Sequence, residues 1–296
     1  MTQQQQTYRV GDATVTRIPE LLVRSFKTTD LIPDWQPGIA DRFDAWMVPD
    51  CLDEAHKHIV VSTHSWLVRT ARHTVIVDTA VGNDKPRALQ AFDRLHEPFL
   101  ERLAAAGIAP EDVDHVLLTH LHSDHVGWNT RLVDGRWVPT FPNARTILPQ
   151  PDLDRVKAMV AKEGKDSPKA ALYFDSILPV LEAGRVTTVG PEGGLVLDGF
   201  VYHPTPGHCL GHMSIGLSSA GEQGFFAGDV MHHPIQIARP DWSSVFSEDH
   251  ARGRASRLWA LNHAADTGAL VFTSHFPGSG AGRVARTDGD FGWSFA

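Results

Sequence analysis

Residues 119–127 read Thr-His-Leu-His-Ser-Asp-His-Val-Gly and follow directly on a short apolar run at 113–119. In extended backbone, side chains two apart point to the same side, so His120 and His122 present both imidazoles together. Asp124 and His125 follow as the chain turns, and one loop offers four donors to neighbouring positions. Neutral imidazole and carboxylate suit zinc and similar divalent metals. Four such groups at a strand end need partners, which a metal centre provides better than a solvated histidine-rich loop. If two ions are present, this loop alone is not enough. Three later positions supply further donors, each just beyond a short apolar run: His208 after Thr205-Pro206-Gly207, Asp229 after Gly228, and His275 after Ser274.

The elements that must position these donors are predicted from periodicity. A strand is expected over 8–18, with a Gly11-Asp12 turn near its start. Residues 19–56 mix Pro19, Pro33, Pro37 and Pro49 with Phe26, Trp35, Phe43 and Trp46. That reads as an irregular N-terminal covering segment: a loop stapled by aromatics, a pocket wall or a dimer arm. Runs rich in β-branched residues predict strands at 59–62, 65–69 and 74–78. A helix is expected over 88–106, ended by Gly107 with Pro110 beyond. Strands follow at 136–138 and 144–148, then helices at 153–162 and 169–181 around a Gly-Lys-Asp-Ser-Pro break. The later half predicts strands at 185–189, 195–203, 213–218, 225–227 and 269–273, with a helix over 249–264. Strand-rich halves flanked by helices imply two packed sheets with helices outside, in a single domain over 1–296.

Composition narrows the function classes. Of 296 residues, 42% are hydrophobic and 21% charged, enough to build a sizeable core. Lys+Arg 27 against Asp+Glu 35 leaves −8, a balance that speaks against nucleic acid or an anionic membrane as partner. No apolar run approaches the roughly 18 residues of a membrane helix. The Gln-rich start has neither the basic nor the apolar part of a signal peptide, so a cytoplasmic location is expected. Two cysteines, Cys51 and Cys209, build no disulfide framework, and a reducing compartment is the simpler reading. Phosphate-loop, His-Glu-x-x-His and Gly-x-Ser-x-Gly motifs are absent, which leaves metal-activated water as the chemistry. The Gly-Ser-Gly-Ala-Gly run at 278–282 reads as a flexible loop near the metals.

With His120, His122, Asp124, His125, His208, Asp229 and His275 in order, the chain resembles the metallo-β-lactamase-fold hydrolase superfamily over about 58–280. Its look is closest to the branch of quorum-quenching lactonases and methyl parathion hydrolase-like enzymes. Val-Asp-Thr-Ala-Val-Gly at 77–82 resembles that family's Asp-Thr-Gly turn, with Ala80 where glycine is usual. The resemblance implies an α/β fold, an αββα four-layer sandwich with two divalent metal ions at one edge. Zinc is the default ion, with manganese, iron and cobalt as alternatives. It further implies that His120, His122 and His208 hold one ion, that Asp124, His125 and His275 hold the other, and that Asp229 bridges them. Asp78 would support a ligand from behind. His212 either holds a ligand's second nitrogen or makes an ordinary polar contact.

The activity so implied is hydrolysis of a lactone or other carboxylic ester by a metal-bridging hydroxide, with Asp124 orienting it and passing a proton to the leaving group. Phosphotriester (organophosphate) hydrolysis is the alternative within enzymes, and a structural metal-binding module the alternative outside them. His232, three residues after Asp229, stands where the lactonases carry a tyrosine. It either donates to a carbonyl or phosphoryl oxygen of the substrate or makes a structural contact. Cys209 reads as a small packed residue rather than a nucleophile. Trp128, Phe26, Trp46, His64 and Phe276 are either core residues or walls of an apolar pocket. The expected partner is a small-molecule substrate, with a homodimer through the aromatic 19–56 segment.

Overall fold

Strand residues sort by parity onto two faces, and that sorting builds the layers. A computed structural model describes residues 6–42, 47–48, 50–287 and 289–296. Among them, β1 (Thr7–Val10), β2 (Ala13–Lys27), β3 (His58–Arg69), β4 (Thr74–Val77) and β5 (His115–Leu117) lie side by side. A separate hairpin follows, β6 (Thr130–Val133) with β7 (Arg136–Pro139). β8 (Arg145–Pro149) and β9 (Val186–Val189) then complete the first seven-stranded sheet, parallel from β4 onward. The second seven-stranded sheet runs in chain order through β10 (Gly194–Leu197), β11 (Phe200–Pro204), β12 (Met213–Ser219), β13 (Glu222–Phe226), β14 (Leu270–Phe272), β15 (Ala281–Arg286) and β16 (Phe291–Phe295). Only its β13–β14 pair is parallel.

Trp66, Val68, Val75, Val77, Leu117 and Ile147 of the first sheet meet Tyr202, Ile215, Phe226 and Phe272 of the second in one core. Their neighbours in sequence point the other way. Leu67, Ile76, Val116 and Leu148 pack outward with α1 (Phe99–Ala105) and α2 (Gln150–Glu163). A short α3 (Leu178–Glu182) follows α2, and α4 (His250–Thr267) covers Phe225 and Val271 on the far side. Helix, sheet, sheet, helix is the expected αββα sandwich. Each large apolar side chain so buried stabilises the fold by about 1.5–3 kcal/mol.

α4 shows how local sequence sets the site. The Asp249 carboxylate caps it by accepting the Arg252 N–H at 3.0 Å. Its buried face, Gly253, Ser256, Arg257, Ala260, Leu261 and Ala264, recurs every three or four residues. Gly207 lets its loop abut the helix at Gly253: a Cβ on Gly207 would lie 2.1 Å from the Gly253 nitrogen. The residue after Gly207 is His208, so this contact brings one of the donors to the sheet edge.

Several expectations change. β2 continues to Lys27 instead of ending at 18, because β1 pairs only as far as Thr16 and Pro19 lies on an open edge. The runs at 59–62 and 65–69 are one strand, β3. The run at 195–203 is a hairpin, turning at Asp198-Gly199 between β10 and β11. The helix expected over 88–106 is only α1: Pro98 starts it and Arg94 is left-handed at φ 48°, so 88–98 is loop around a single turn at Gln90–Phe92. The helix over 169–181 is a wide π turn at Tyr173–Ile177 that continues into α3. The glycine run at 278–282 is a tight turn closed by Gly280 N–H to Pro277 O at 3.2 Å, and β15 starts at Ala281. Phe43, Trp46 and Pro49 lie outside the described residues. Cys51 and Cys209 are buried free thiols, and burial pushes Cys51 up to about 12.

Glu20 ties β2 to the turn after β4. At 2% exposure its carboxylate accepts Val81 N–H at 2.8 Å, Gly82 N–H at 2.9 Å, Trp128 Nε1–H at 2.8 Å and Thr63 Oγ1–H at 3.3 Å. Glu20→Gln turns an amide NH2 against two of these donors and should cost about 2–4 kcal/mol. Urea unfolding would read this, and an unchanged midpoint would refute it.

Candidate metal centre

β4 and β5 end side by side, and the loops beyond them are stitched together. Asp78 N–H donates to Leu117 O at 2.9 Å, Thr79 N–H to His125 O at 2.7 Å, and Gly127 N–H to Ala80 O at 2.7 Å. Ala80 sits at φ 46°, in the left-handed region that the family's glycine would enter freely, at a cost of roughly 1–2 kcal/mol. From the second sheet, His208 follows β11, Asp229 follows β13 and His275 follows β14.

These loops converge on Asp229. Its Oδ2 lies 3.0 Å from His275 Nε2, 3.3 Å from His208 Nε2, 3.3 Å from His232 Nε2 and 3.9 Å from His120 Nε2. Its Oδ1 lies 3.2 Å from His125 Nε2. His122 Nδ1 faces His208 Nε2 at 2.7 Å. Asp124 Oδ2 stands 3.7 Å from His275 Nε2 and 3.9 Å from His125 Nε2. Ligand atoms of His120, His122 and His208 fall within 4.8 Å of one another, as do those of Asp124, His125 and His275, of His120, His125 and Asp229, and of His208, Asp229 and His232. All seven sequence-predicted donors and His232 are thus together.

Tautomers show what the cluster lacks. His275 Nδ1 lies 3.0 Å from the Ser62 carbonyl, which can only accept, so Nδ1 carries a proton and in the neutral ring Nε2 has the lone pair. His125 Nδ1 likewise donates to Asp78 Oδ2 at 2.9 Å. Thr119 Oγ1 donates to Asp78 Oδ2 at 2.9 Å, so it accepts from His120 Nδ1 at 3.0 Å. In the neutral rings all three Nε2 lone pairs therefore point at the Asp229 carboxylate, itself an acceptor, and only a cation or a ring proton relieves the conflict. Nε2 of His120 and His125 and Oδ1 of Asp229 are buried without a hydrogen-bond partner. Acceptors converging in a dry site call for cations, and an all-nitrogen-and-oxygen donor set fits divalent ions. Burial holds His120 and His208 well below the ordinary histidine range, and lowers His122 to about 4. Burial opposes charge on His125 as well, yet Asp229, Asp78 and Asp124 raise it well above that range, and Asp229 raises His275.

The outer partners explain the remaining geometry. His212 Nε2 accepts the Asp229 N–H at 2.8 Å, and its Nδ1 donates to Thr205, 2.9 Å from Oγ1 and 3.1 Å from the carbonyl. Gly228, at φ 58°, leaves the room: a Cβ there would lie 2.5 Å from His212 Nε2. Asp152, fully buried in the first turn of α2, accepts Leu121 N–H at 2.5 Å and Arg155 Nε at 2.6 Å. It thereby grips the loop between His120 and His122. Arg257, 1% exposed, donates to the carbonyls of Val230, Pro240 and Trp242, each at 2.8 Å, and fixes the loop bearing His232. Sequence reading missed Asp152, Arg257, Glu20 and Ser62. For Asp152 a signal existed, a proline and an acid opening a helix at Gln150-Pro151-Asp152.

Residues 58–275 match the family described as the metallo-β-lactamase superfamily. The chain belongs to that superfamily. Among its relatives is a protein named ribonuclease Z from Mycobacterium sp. (strain KMS), 37% identical over 248 residues, which are 75% of this chain and 80% of that protein. Among solved structures, the hydrolase AbOPH of the β-lactamase superfamily superposes with a TM-score of 0.81 at 25% identity, covering 100% of this chain and 98% of that one. AidC, a dizinc quorum-quenching lactonase in complex with a product, superposes with a TM-score of 0.75 at 22% identity, covering 99% and 97%. Three of the rings that the sequence left between core and pocket are buried core residues. Trp128 stacks on Phe99 at 5.1 Å, His64 lies between the sheets on Thr273 O at 2.7 Å, and Phe276 packs on Trp293. Trp46 lies outside the described residues.

Two outcomes follow for the metal-binding chain. Asp152→Ala should weaken metal affinity by about 10–100-fold, read by chelator competition, because its hold on the His120–His122 loop is lost. A histidine ligates only when neutral, and the raised values of His125 and His275 place protons in competition with metal first there. Falling pH therefore weakens ligation at these two residues before the others, and rising pH favours it. Dialysis at about pH 5 should strip metal that survives pH 7.5, and full retention at pH 5 would contradict the site.

Proposed function

We propose that the chain is a dinuclear metal-dependent hydrolase of neutral carboxylic esters, lactones foremost. The observation behind this is the set of imidazole lone pairs aimed at the Asp229 carboxylate. His120, His122 and His208 would hold one ion and Asp124, His125 and His275 the second, with Asp229 between them. Ions held there supply an acidified water and a Lewis acid for the oxygen of the scissile group. Zinc suits the donor set best, with manganese, iron or cobalt as substitutes.

The chain's own residues do the positioning and move the proton. Asp124 keeps 17% side-chain exposure and, with half-buried His122, forms the open side of the cluster, so it can take a proton and hand it to the leaving oxygen. His232 is 4% exposed, stacks on His275 at 5.4 Å and 6°, and has its backbone N–H fixed by Gln236 Oε1 at 2.7 Å. Burial lowers its pKa, so it stays neutral and offers one ring N–H to the substrate's carbonyl oxygen. Asp78 and His212 hold His125 and the Asp229 backbone in place.

The relative named ribonuclease Z supports a second reading, a phosphodiester in RNA. The charge of −8 speaks for the neutral ester. Elemental analysis should find about two ions per chain. Initial rates on a lactone, an aryl ester, a phosphotriester and a structured RNA decide among substrates, with lactone or ester expected to lead. Asp124→Ala should lower kcat by about 10²–10⁴-fold. Preferred cleavage of the RNA would overturn the ester reading, and two ions without turnover of any substrate would leave a structural metal-binding module.

A further inference from the structure

Parity on β11 divides its side chains between two environments. Tyr202 enters the core between the sheets, so His203 beside it faces the opposite side, where α4 covers the second sheet. On α4, Trp259 and His263 are four residues apart and share one helix face. The ring of His263 stacks on Trp259 at 5.0 Å and 11°, and lies 5.3 Å from Phe225 of β13. The ring of His203 comes within 5.3 Å of Trp259 and 6.4 Å of Phe225. The two imidazoles thus stand next to each other beside an indole and a phenyl ring, their centres 5.2 Å apart. Trp259 is 40% exposed and both histidines are half-buried, so an ion reaches them from solvent.

Aromatic contacts hold both rings, and no hydrogen bond among the described residues uses their nitrogens. Gly216 leaves the room for one of them: a Cβ there would lie 3.0 Å from His203 Nε2. Burial lowers both histidines from their ordinary range, and His263 lowers His203 further. Both are therefore neutral near pH 7, each with a lone pair to give. Asp266, three residues further along α4, favours positive charge at His263, although Arg286 at 2.6 Å shares that carboxylate. An ion about 2 Å from one nitrogen of each of two rings, at a tetrahedral angle, puts the ring centres about 5 Å apart. Within the metal centre, His120 and His208 stand at 4.8 Å, and His125 and His275 at 5.3 Å.

We propose that His203 and His263 form a separate binding site for one divalent ion of the nickel, copper or zinc class, with water filling its remaining positions. Imidazole is a ligand that suits these ions. One ligand comes from β11 and the other from α4, so the ion clamps the helix to the second sheet. β11 runs on towards His208, and α4 abuts Gly207 at Gly253. The clamp therefore stiffens the frame that carries His208 without sharing a ligand with the metal centre.

The test adds nickel ions to protein whose metal centre is already filled with zinc. About one nickel per chain should bind beyond the zinc, quench part of the tryptophan fluorescence and raise Tm, as a ligand of the folded state does. His203→Gln and His263→Gln each remove one of two protein ligands and should weaken nickel binding by more than about tenfold. Zinc content unchanged in both variants shows that the fold survives. Trp259→Phe should keep the nickel and the Tm rise but lose most of the quench. His73→Gln, in another histidine pair whose rings lie 5.1 Å apart, His73 with His115, should change nothing. In the wild-type protein the ring NMR signals of His203 and His263 should broaden first as nickel is added, a readout that needs no variant. No added nickel, first broadening elsewhere, or binding that both glutamine variants leave intact overturns the site, as does binding lost in His73→Gln instead.

Discussion

Two hydrogen-bond acceptors cannot rest against each other in a dry site unless a cation lies between them, and this molecule is arranged around that conflict. The Ser62 carbonyl, Asp78 and Thr119 each commit the Nδ1 of one histidine, so His275, His125 and His120 have lone pairs to offer. Each of those lone pairs meets the carboxylate of Asp229. Remove the commitments and the imidazoles could donate to Asp229 and satisfy it alone. The surrounding polar contacts therefore set the charge the centre demands, not only its shape.

How much of this was legible in the chain depends on where the partners lie in it. The donors were visible because several crowd within six residues and the rest follow short apolar runs. The layer order was visible too, since the strands alternate and α4 repeats at helical spacing. What stayed hidden involves partners distant in sequence. Ser62 meets His275 across two sheets, and Asp152 meets Leu121 only after α2 has packed. Neither contact leaves a local pattern. Boundaries failed where one residue overrules its window: Pro98 and Arg94 break a helical run, and Asp198-Gly199 folds an apparent strand back on itself. The covering segment misled for the opposite reason. Its prolines suggested irregularity, but Pro19 sits within β2 opposite His64, where only the β1 side lacks a neighbour. Its aromatics fitted a stapled loop, a pocket wall or a dimer arm alike, and Trp35 packs within the chain against Trp242 and His233, and Phe26 against Phe246.

Two buried charges outside the metal cluster, Arg257 and Glu20, are satisfied by backbone or its nearest equivalents. Arg257 has three carbonyls and Glu20 two amides, an indole and a hydroxyl. Such groups contribute little net stability compared with apolar filling, but they tolerate a single backbone arrangement. The loops that carry His125, Trp128 and His232 are held in this way, although they are loops.

Tyr202 adds a mechanical consequence. It belongs to the second sheet, yet its hydroxyl lies 3.2 Å from Leu118 O and 3.0 Å from Ile147 O of the first, two residues below His120. The donor atoms are divided between the sheets, so any sliding of one sheet on the other changes the separation of the ions they would hold. Tyr202 is the bolt across that slip plane. Inter-sheet registry, set by side chains that never meet substrate, is thus a coordinate along which the reactivity of the centre can drift or be adjusted.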